Sequence, residues 1–275
     1  MQPIFDIKSP VIDTATAQLA LELGPDGMTI VILDGNNSFA SLTRYAFLPG
    51  NNETDYQLDL EGILEAERLI GSVFKKIVII WSFPESILVP PEYMNRELSA
   101  GMMDLVFGDL ETTNCRTDFL IPHNLHNLYR VPALTANSFD RWFPAAGQIH
   151  QFSLLADFVH KEGNHLQVIF YATSLTAMLS RDGNILMIRN FNYHVPVDAA
   201  WILLNCCERF NTLPDETLLH VSGMIDTSSG LYAELNKYFL HVKLDLLPAN
   251  AEYFSGVSSL PEHYFSYLFA SVLCV

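Results

Sequence analysis

Positive charge is scarce in this 275-residue chain. It has 15 Lys and Arg against 31 Asp and Glu, a formal net charge of −16. The basic residues are scattered and form no cluster. Nucleic-acid binding needs a positive footprint that releases counterions, so that class is excluded. An anionic membrane surface would repel the chain, and the acidity serves solubility or a basic partner. Cysteine is also scarce. Cys115, Cys206, Cys207 and Cys274 show no framework spacing and no C-x-x-C pattern, which excludes a disulfide-stapled scaffold. Long hydrophobic runs are missing. The longest charge-free apolar stretch near the end, "YFSYLFASVLCV", has 12 residues, too few to cross a bilayer as a helix. The opening "MQPIFDIKSP" lacks a charged region followed by an apolar core, so no secretory signal is expected. There is no P-loop, G-x-G-x-x-G, G-x-S-x-G or H-E-x-x-H motif. The expectation is a reduced, cytoplasmic protein without direct membrane insertion.

The chain is rich in apolar residues. Hydrophobic residues make up 49% and charged residues only 17%. A chain of this length buries roughly three-quarters of its unfolded surface, so it needs neither disulfides nor a structural metal. Two domains or two lobes fit the length.

Element signals recur in order. "AQLALEL" and "MTIVILD" flank a Gly-Pro-Asp-Gly turn, and "SFASLTRYAFL" follows as a third strand. Leu60, Ile63, Ile70 and Phe74 share one face of a helix expected over 60–74. "KKIVIIWS" reads as a buried strand. "NRELSAGMMDLVFG" reads as a helix with Asn95 as N-cap and Gly108 as stop. "RTDFLIP" and "LYRVPAL" add strand-like pieces, and Ser138–Ala145 a short helix. From His165 the same plan repeats: three strands, a helix opened by Pro196, the strand "ETLLHVS", the helix "SSGLYAELNKYF", the strand "HVKLDLL" and a closing helix from Pro261. The division expected is 1–155 and 156–275, with 147–164 joining the halves.

A ββ-β-α-β-α-β unit used twice resembles the duplicated actin-like ATPase fold, which is ribonuclease H-like, an α/β architecture of two lobes. "VIFYATSLTAMLSRDGNILMIRNF" resembles its second phosphate hairpin, and "LLHVSGMIDTSSGLYAEL" its adenosine-side loop. "AAGQIHQFSLLADF" resembles the linker of pilus-assembly ATP-binding members. "SFPESILVPPEYM" and "SGMID…GLY…L…YF" resemble an uncharacterised bacterial domain family of this fold without assigned activity.

The resemblance implies where a nucleotide would sit. Glu22, Gly24 and Asp26 would imitate the acid and glycine of the first phosphate hairpin, and Ser222, Gly223 and Asp226 the adenosine turn. Each also has a plain structural reading. Pro25-Asp26-Gly27 is a tight turn, and Asp226, Thr227 or Ser228 caps a helix. The second hairpin departs from the family pattern. Residues 165–180 contain no Asp and no Gly, and Phe170, Tyr171 and Ala172 stand where Asp-x-Gly is expected. Binding a triphosphate takes metal ligands and positive donors together, and both are sparse here.

The function expected is therefore a non-catalytic binding or scaffold protein with degenerate nucleotide loops and no cofactor. The alternative is a divergent kinase or ATPase using ATP with magnesium. No residue receives a catalytic role. His123 and His126 have ligand-like spacing but lie in a loop, and no metal set is expected. Cys207 falls on the apolar stripe of its helix and reads as core. The expected partner is an unidentified protein, and dimerisation stays open.

Overall fold

The computed structural model describes residues 2–9, 12–47, 53–95, 98–109, 113–249, 252–253, 256–257 and 260–274. The chain divides into two compact units, Met1–Ser153 with Asn250–Ser259, and Leu154–Ala249 with Leu260–Cys274.

In the first unit the elements are β1 (Phe5–Lys8), β2 (Gln18–Gly24), β3 (Gly27–Leu33), β4 (Phe39–Ala46), α1 (Glu53–Ala66), β5 (Lys76–Trp81), β6 (Ser86–Val89), α2 (Ser99–Phe107), β7 (Thr113–Leu120), β8 (Leu125–Pro132), α3 (Ala133–Trp142) and β9 (Gly147–His150). Helix α4 (Gln151–Ala156) follows in the chain. The main sheet has the order β1-β4-β3-β2-β5-β9. β2 pairs antiparallel with β3 and parallel with β5, and β5 pairs parallel with β9. β2 is buried along almost its whole length, as a strand covered on both faces must be. Trp81, Phe139, Leu21 and Leu60 lie in its core.

Three sequence expectations shift here. The helix expected over 60–74 starts at Glu53 and ends at Ala66. It stops because Arg68 takes a left-handed φ of 54°, while the Leu69 amide reaches back to the Leu64 carbonyl at 2.8 Å. Arginine rather than glycine fills that position, so no glycine marks the end. Ile70 and Phe74 still pack on the core from an irregular segment. α2 begins at Ser99 with Leu98 before it, so Asn95 is not its N-cap, whereas Gly108 stops it at φ 87°. Finally, Gly147–His150 is a strand of the main sheet rather than part of a linker. Residues 86–132 carry a separate antiparallel sheet, β6-β8-β7, inserted between β5 and α3. Val89, Met103 and Leu128 form its small core.

His150, at the end of β9, is fully buried. Its Nε2–H donates to the Phe83 carbonyl at 2.9 Å, and its Nδ1 accepts from the Phe152 amide at 3.1 Å. Both nitrogens are satisfied only in the neutral ring. Burial pushes its pKa down from 6.5 to about 4, against a raising contribution from the Phe83 carbonyl. The unfolded chain binds this proton at the higher pH. Stability should therefore fall as pH drops from 6.5 toward 4, by ~3 kcal/mol across the window. Urea unfolding at stepped pH, wild type against His150→Asn, checks this. A variant that keeps the full pH slope would show that another group is responsible.

In the second unit the elements are β10 (Asn164–Phe170), β11 (Ser174–Arg181), β12 (Asn184–Asn192), α5 (Pro196–Arg209), β13 (Thr217–Gly223), α6 (Gly230–Leu235), β14 (His241–Leu244) and α7 (Ser266–Cys274). The sheet order is β12-β11-β10-β13-β14. The Asp182-Gly183 turn joining β11 to β12 has both residues at positive φ, 48° and 80°, which suits the twist of a two-residue hairpin. Strand alternation separates the two faces of the sheet. Leu166, Val168, Phe170, Leu219 and Val221 point into a core shared with α5 and α6. The intervening positions on β10 and β13 are His165, Gln167, Ile169, Leu218, His220 and Ser222, so four of these six are polar.

Candidate functional site

Glu22 ends up inside the first unit. Its carboxylate accepts from Thr29 Oγ1 at 3.3 Å and from Gln151 Nε2 at 3.1 Å, and the residue is buried. Arg44 donates to the same Thr29 hydroxyl at 2.6 Å, which extends the polar network. Gly24 pairs with Gly27 across the two-residue turn Pro25-Asp26. A Cβ on Gly24 would meet Ser82 Oγ at 2.6 Å, and the Gly24 carbonyl accepts from Tyr56 at 3.1 Å. This backbone is pressed against its own neighbours. Asp26 is half-buried, and its carbonyl accepts from the Phe47 amide at 3.1 Å.

In the second unit, Ser222 is buried and donates to the Val168 carbonyl at 3.3 Å. Gly223 holds φ at 86°, and an added Cβ would stand 2.2 Å from the Phe170 carbonyl oxygen. Its amide donates to the His263 carbonyl at 2.8 Å, and Met224 donates to Phe170 at 2.7 Å. Asp226 accepts from both the amide and the hydroxyl of Ser228, each at 2.6 Å. These two bonds hold its carboxyl below the usual range. The side chain that caps α6 is Ser229, which accepts from the Tyr232 amide at 3.1 Å, rather than any of the residues 226–228. Asp226 instead closes the turn just before it. Gly223 is thus held against Phe170 and His263, and Asp226 is engaged within its own turn.

The second hairpin places its rings inward. Phe170 is fully buried in the core and meets Tyr193 edge-on. Tyr171 is buried, and its hydroxyl lies 3.0 Å from that of Tyr267 on α7. Its carbonyl accepts from Tyr193 at 2.8 Å. Ala172 and Thr173 are the exposed tip.

A family profile described as "Protein of unknown function (DUF3822)" matches residues 9–242. The chain belongs to this family. No curated protein matches it. Among solved structures, a Bacteroides thetaiotaomicron protein with an actin-like ATPase fold and unknown function is similar with a TM-score of 0.76 at 16% identity. That match covers 86% of this chain and 94% of the other. A PilM–PilN type IV pilus biogenesis complex gives 0.63 at 14% identity, over 93% and 96% of the two chains. The cytoplasmic domain of EpsL, an inner-membrane component of the type II secretion system of Vibrio cholerae, gives 0.52 at 11%, over 94% and 95%. The DUF3822 chain therefore has the actin-like ATPase fold. Among its described residues, no helix is long and apolar enough to cross a membrane.

The remaining sequence candidates separate. His123 lies in a single 3-10 turn, while His126 lies on β8 against the ring of Phe119. Left-handed Asn124 stands between them. Cys207 is fully buried in the core. Burial pushes the Cys206 thiol up to about 11 and raises Cys207 as well. Both stay protonated at neutral pH, which does not suit a nucleophile. The side chain of Cys274 is outside the described residues.

Three histidines that look unrelated in sequence do meet. His160, His165 and His220 gather on the polar face of the second sheet. The spacing H-x-x-x-x-H entering a strand, and a histidine inside the apolar run "LLHVS", are the signals that would have flagged them. His160 and His220 line a cavity of about 420 Å³ together with Asp157, Lys243, Asp245 and Tyr267.

Proposed function

We propose that this DUF3822 protein is a non-catalytic member of the actin-like fold, acting as a binding or scaffold protein whose nucleotide loops are degenerate. One observation carries the reading. Residues 165–180, where the second phosphate hairpin would hold its acid and glycine, contain neither Asp, Glu nor Gly, and the residue in the acid's place, Phe170, belongs to the hydrophobic core. The first hairpin supports it, because Glu22 is buried and already accepts from Thr29 and Gln151. A protein partner is supported by PilM, a neighbour of this fold seen with PilN. Trp201, four residues after exposed Val197 on α5, is 64% exposed and offers an aromatic contact of the kind that interfaces favour. Composition argues against nucleic acid, and a cytoplasmic setting fits the unpaired thiols.

Isothermal titration with magnesium-ATP tests this reading. No binding heat is expected. Micromolar binding, or phosphate release lost on Asp226→Ala, would overturn it in favour of a divergent kinase or ATPase. That enzyme would use Glu22, Gly24, Asp26, Ser222, Gly223 and Asp226 around the nucleotide.

A further inference from the structure

His160, His165 and His220 each bring one ring nitrogen within 4.8 Å of the others. His165 and His220 come from adjacent parallel strands, where Gln167 is the register partner of His220 and Leu218 that of His165. His160 precedes β10, and its carbonyl accepts from the Gly183 amide at 3.1 Å. Its ring stacks on both of the others, with centroids 4.1 and 4.7 Å away.

His220 stands between an imidazole and a carboxylate. His165 Nε2 lies 2.8 Å from the Glu162 carbonyl. A carbonyl only accepts, so this nitrogen carries the hydrogen and Nδ1 of the neutral ring presents a lone pair. That Nδ1 lies 3.0 Å from His220 Nε2. The other nitrogen of His220, Nδ1, lies 3.6 Å from the Asp245 carboxylate. A neutral His220 has one N–H, which can serve His165 at 3.0 Å, whereas Asp245 at 3.6 Å lies beyond hydrogen-bond reach. If it serves Asp245, two lone pairs face each other at 3.0 Å. If it serves His165, a lone pair faces a carboxylate. A metal cation between the two facing nitrogens would take up both lone pairs and leave the Nδ1–H of His220 directed toward Asp245.

We propose that His160, His165 and His220 form a binding site for a divalent transition-metal ion of the zinc class, with Asp245 orienting the ring of His220. Two imidazole nitrogens on one tetrahedral zinc stand about 3.3 Å apart, close to the 3.0 Å found here. The outward nitrogens face a carbonyl and a carboxylate, the partners that fix ligating histidines in place. Imidazole donors suit zinc, nickel or copper rather than magnesium or calcium. His160 is exposed, and aiming its lone pair at the ion requires its ring to leave the stack on the other two. Three histidines leave a fourth position for water or an anionic ligand. It opens on the cavity, whose charged side chains are Asp157, Asp245 and Lys243. Two carboxylates against one ammonium favour a cation. This site does not depend on the reading of the nucleotide loops.

The test is a tag-free, chelator-stripped chain titrated with Zn²⁺ against a chromophoric chelator, with circular dichroism as the folding control. One ion per chain is expected. His160→Ala, at an exposed position, should stay folded and bind at least ~10-fold more weakly. Asp245→Asn should weaken binding while keeping the one-to-one ratio, and His126→Gln should change nothing. If His220→Gln fails to fold, His160→Ala and His165→Asn decide the matter. The proposal is overturned if the wild-type chain takes up no ion, or if His160→Ala and His165→Asn, both folded, bind zinc as tightly as wild type.

Discussion

Gly223→Ala is expected to destabilise the protein by ~3 kcal/mol, or to prevent folding outright. The methyl group would meet the Phe170 carbonyl oxygen at 2.2 Å and its amide nitrogen at 2.7 Å. Neither is a flexible side-chain end that can move aside. The backbone also sits at φ 86°, where alanine is strained before any contact is counted. Gly230→Ala is the matched control, since its nearest neighbour would be Pro196 at 3.9 Å and it lies in a helix. Urea midpoints of the two variants should separate clearly, with only Gly223→Ala shifted far down. An unshifted midpoint for Gly223→Ala would remove the close approach between β13 and Phe170. The experiment also bears on function. The resemblance assigns this glycine to the adenosine turn, whereas the approach of β10 explains it without any ligand.

Phe170→Asp should have the larger effect. It places an acid where the resemblance to the actin-like fold expects one in the second hairpin, yet it should abolish stable folding. Removing the ring alone from a fully buried site is worth ~3–5 kcal/mol. The substitution adds an unpaired carboxylate among apolar side chains, a further loss of several kcal/mol. The sum approaches the whole stability of an ordinary domain. Ala172→Asp, at the exposed tip of the same hairpin, should stay within ~0.5 kcal/mol of wild type. Soluble yield and circular dichroism distinguish the two. A Phe170→Asp protein that folds with a native midpoint would mean the side chain at 170 faces solvent, and the degenerate-loop reading would lose its main support. If the prediction holds, the loss of the acid is tied to the packing of the lobe, and no single substitution reverses it.

The duplicated order of elements was legible because it rests on local signals. Turns such as Pro25-Asp26-Gly27 and Asp182-Gly183, and alternation or continuity of apolar residues, identify strands before any packing is known. The ends of α1 and α6 were not legible. α1 stops at an arginine forced into a left-handed turn, and α6 takes its cap from Ser229 among four neighbouring residues able to do so. The strand Gly147–His150 was missed because four residues with one glycine carry no periodicity. Its identity as a strand comes from pairing with β5. Glu22 and Asp226 were named as site residues from position in a pattern. Only the neighbours they acquire, Gln151 and Thr29 for one and Ser228 for the other, reveal how each carboxylate is used.

By itself the sequence determined the α/β class, the repeated unit, the lack of a nucleic-acid footprint and the missing acid and glycine of the second hairpin. Each of these is a property of composition or of residues close together along the chain. Tertiary structure alone decided that Phe170 belongs to the core, that Gly223 lies against the β10 backbone, and that His160, His165 and His220 share one place. Residues 60 positions apart in the chain meet only when parallel strands pair, and nothing in their local surroundings encodes that register.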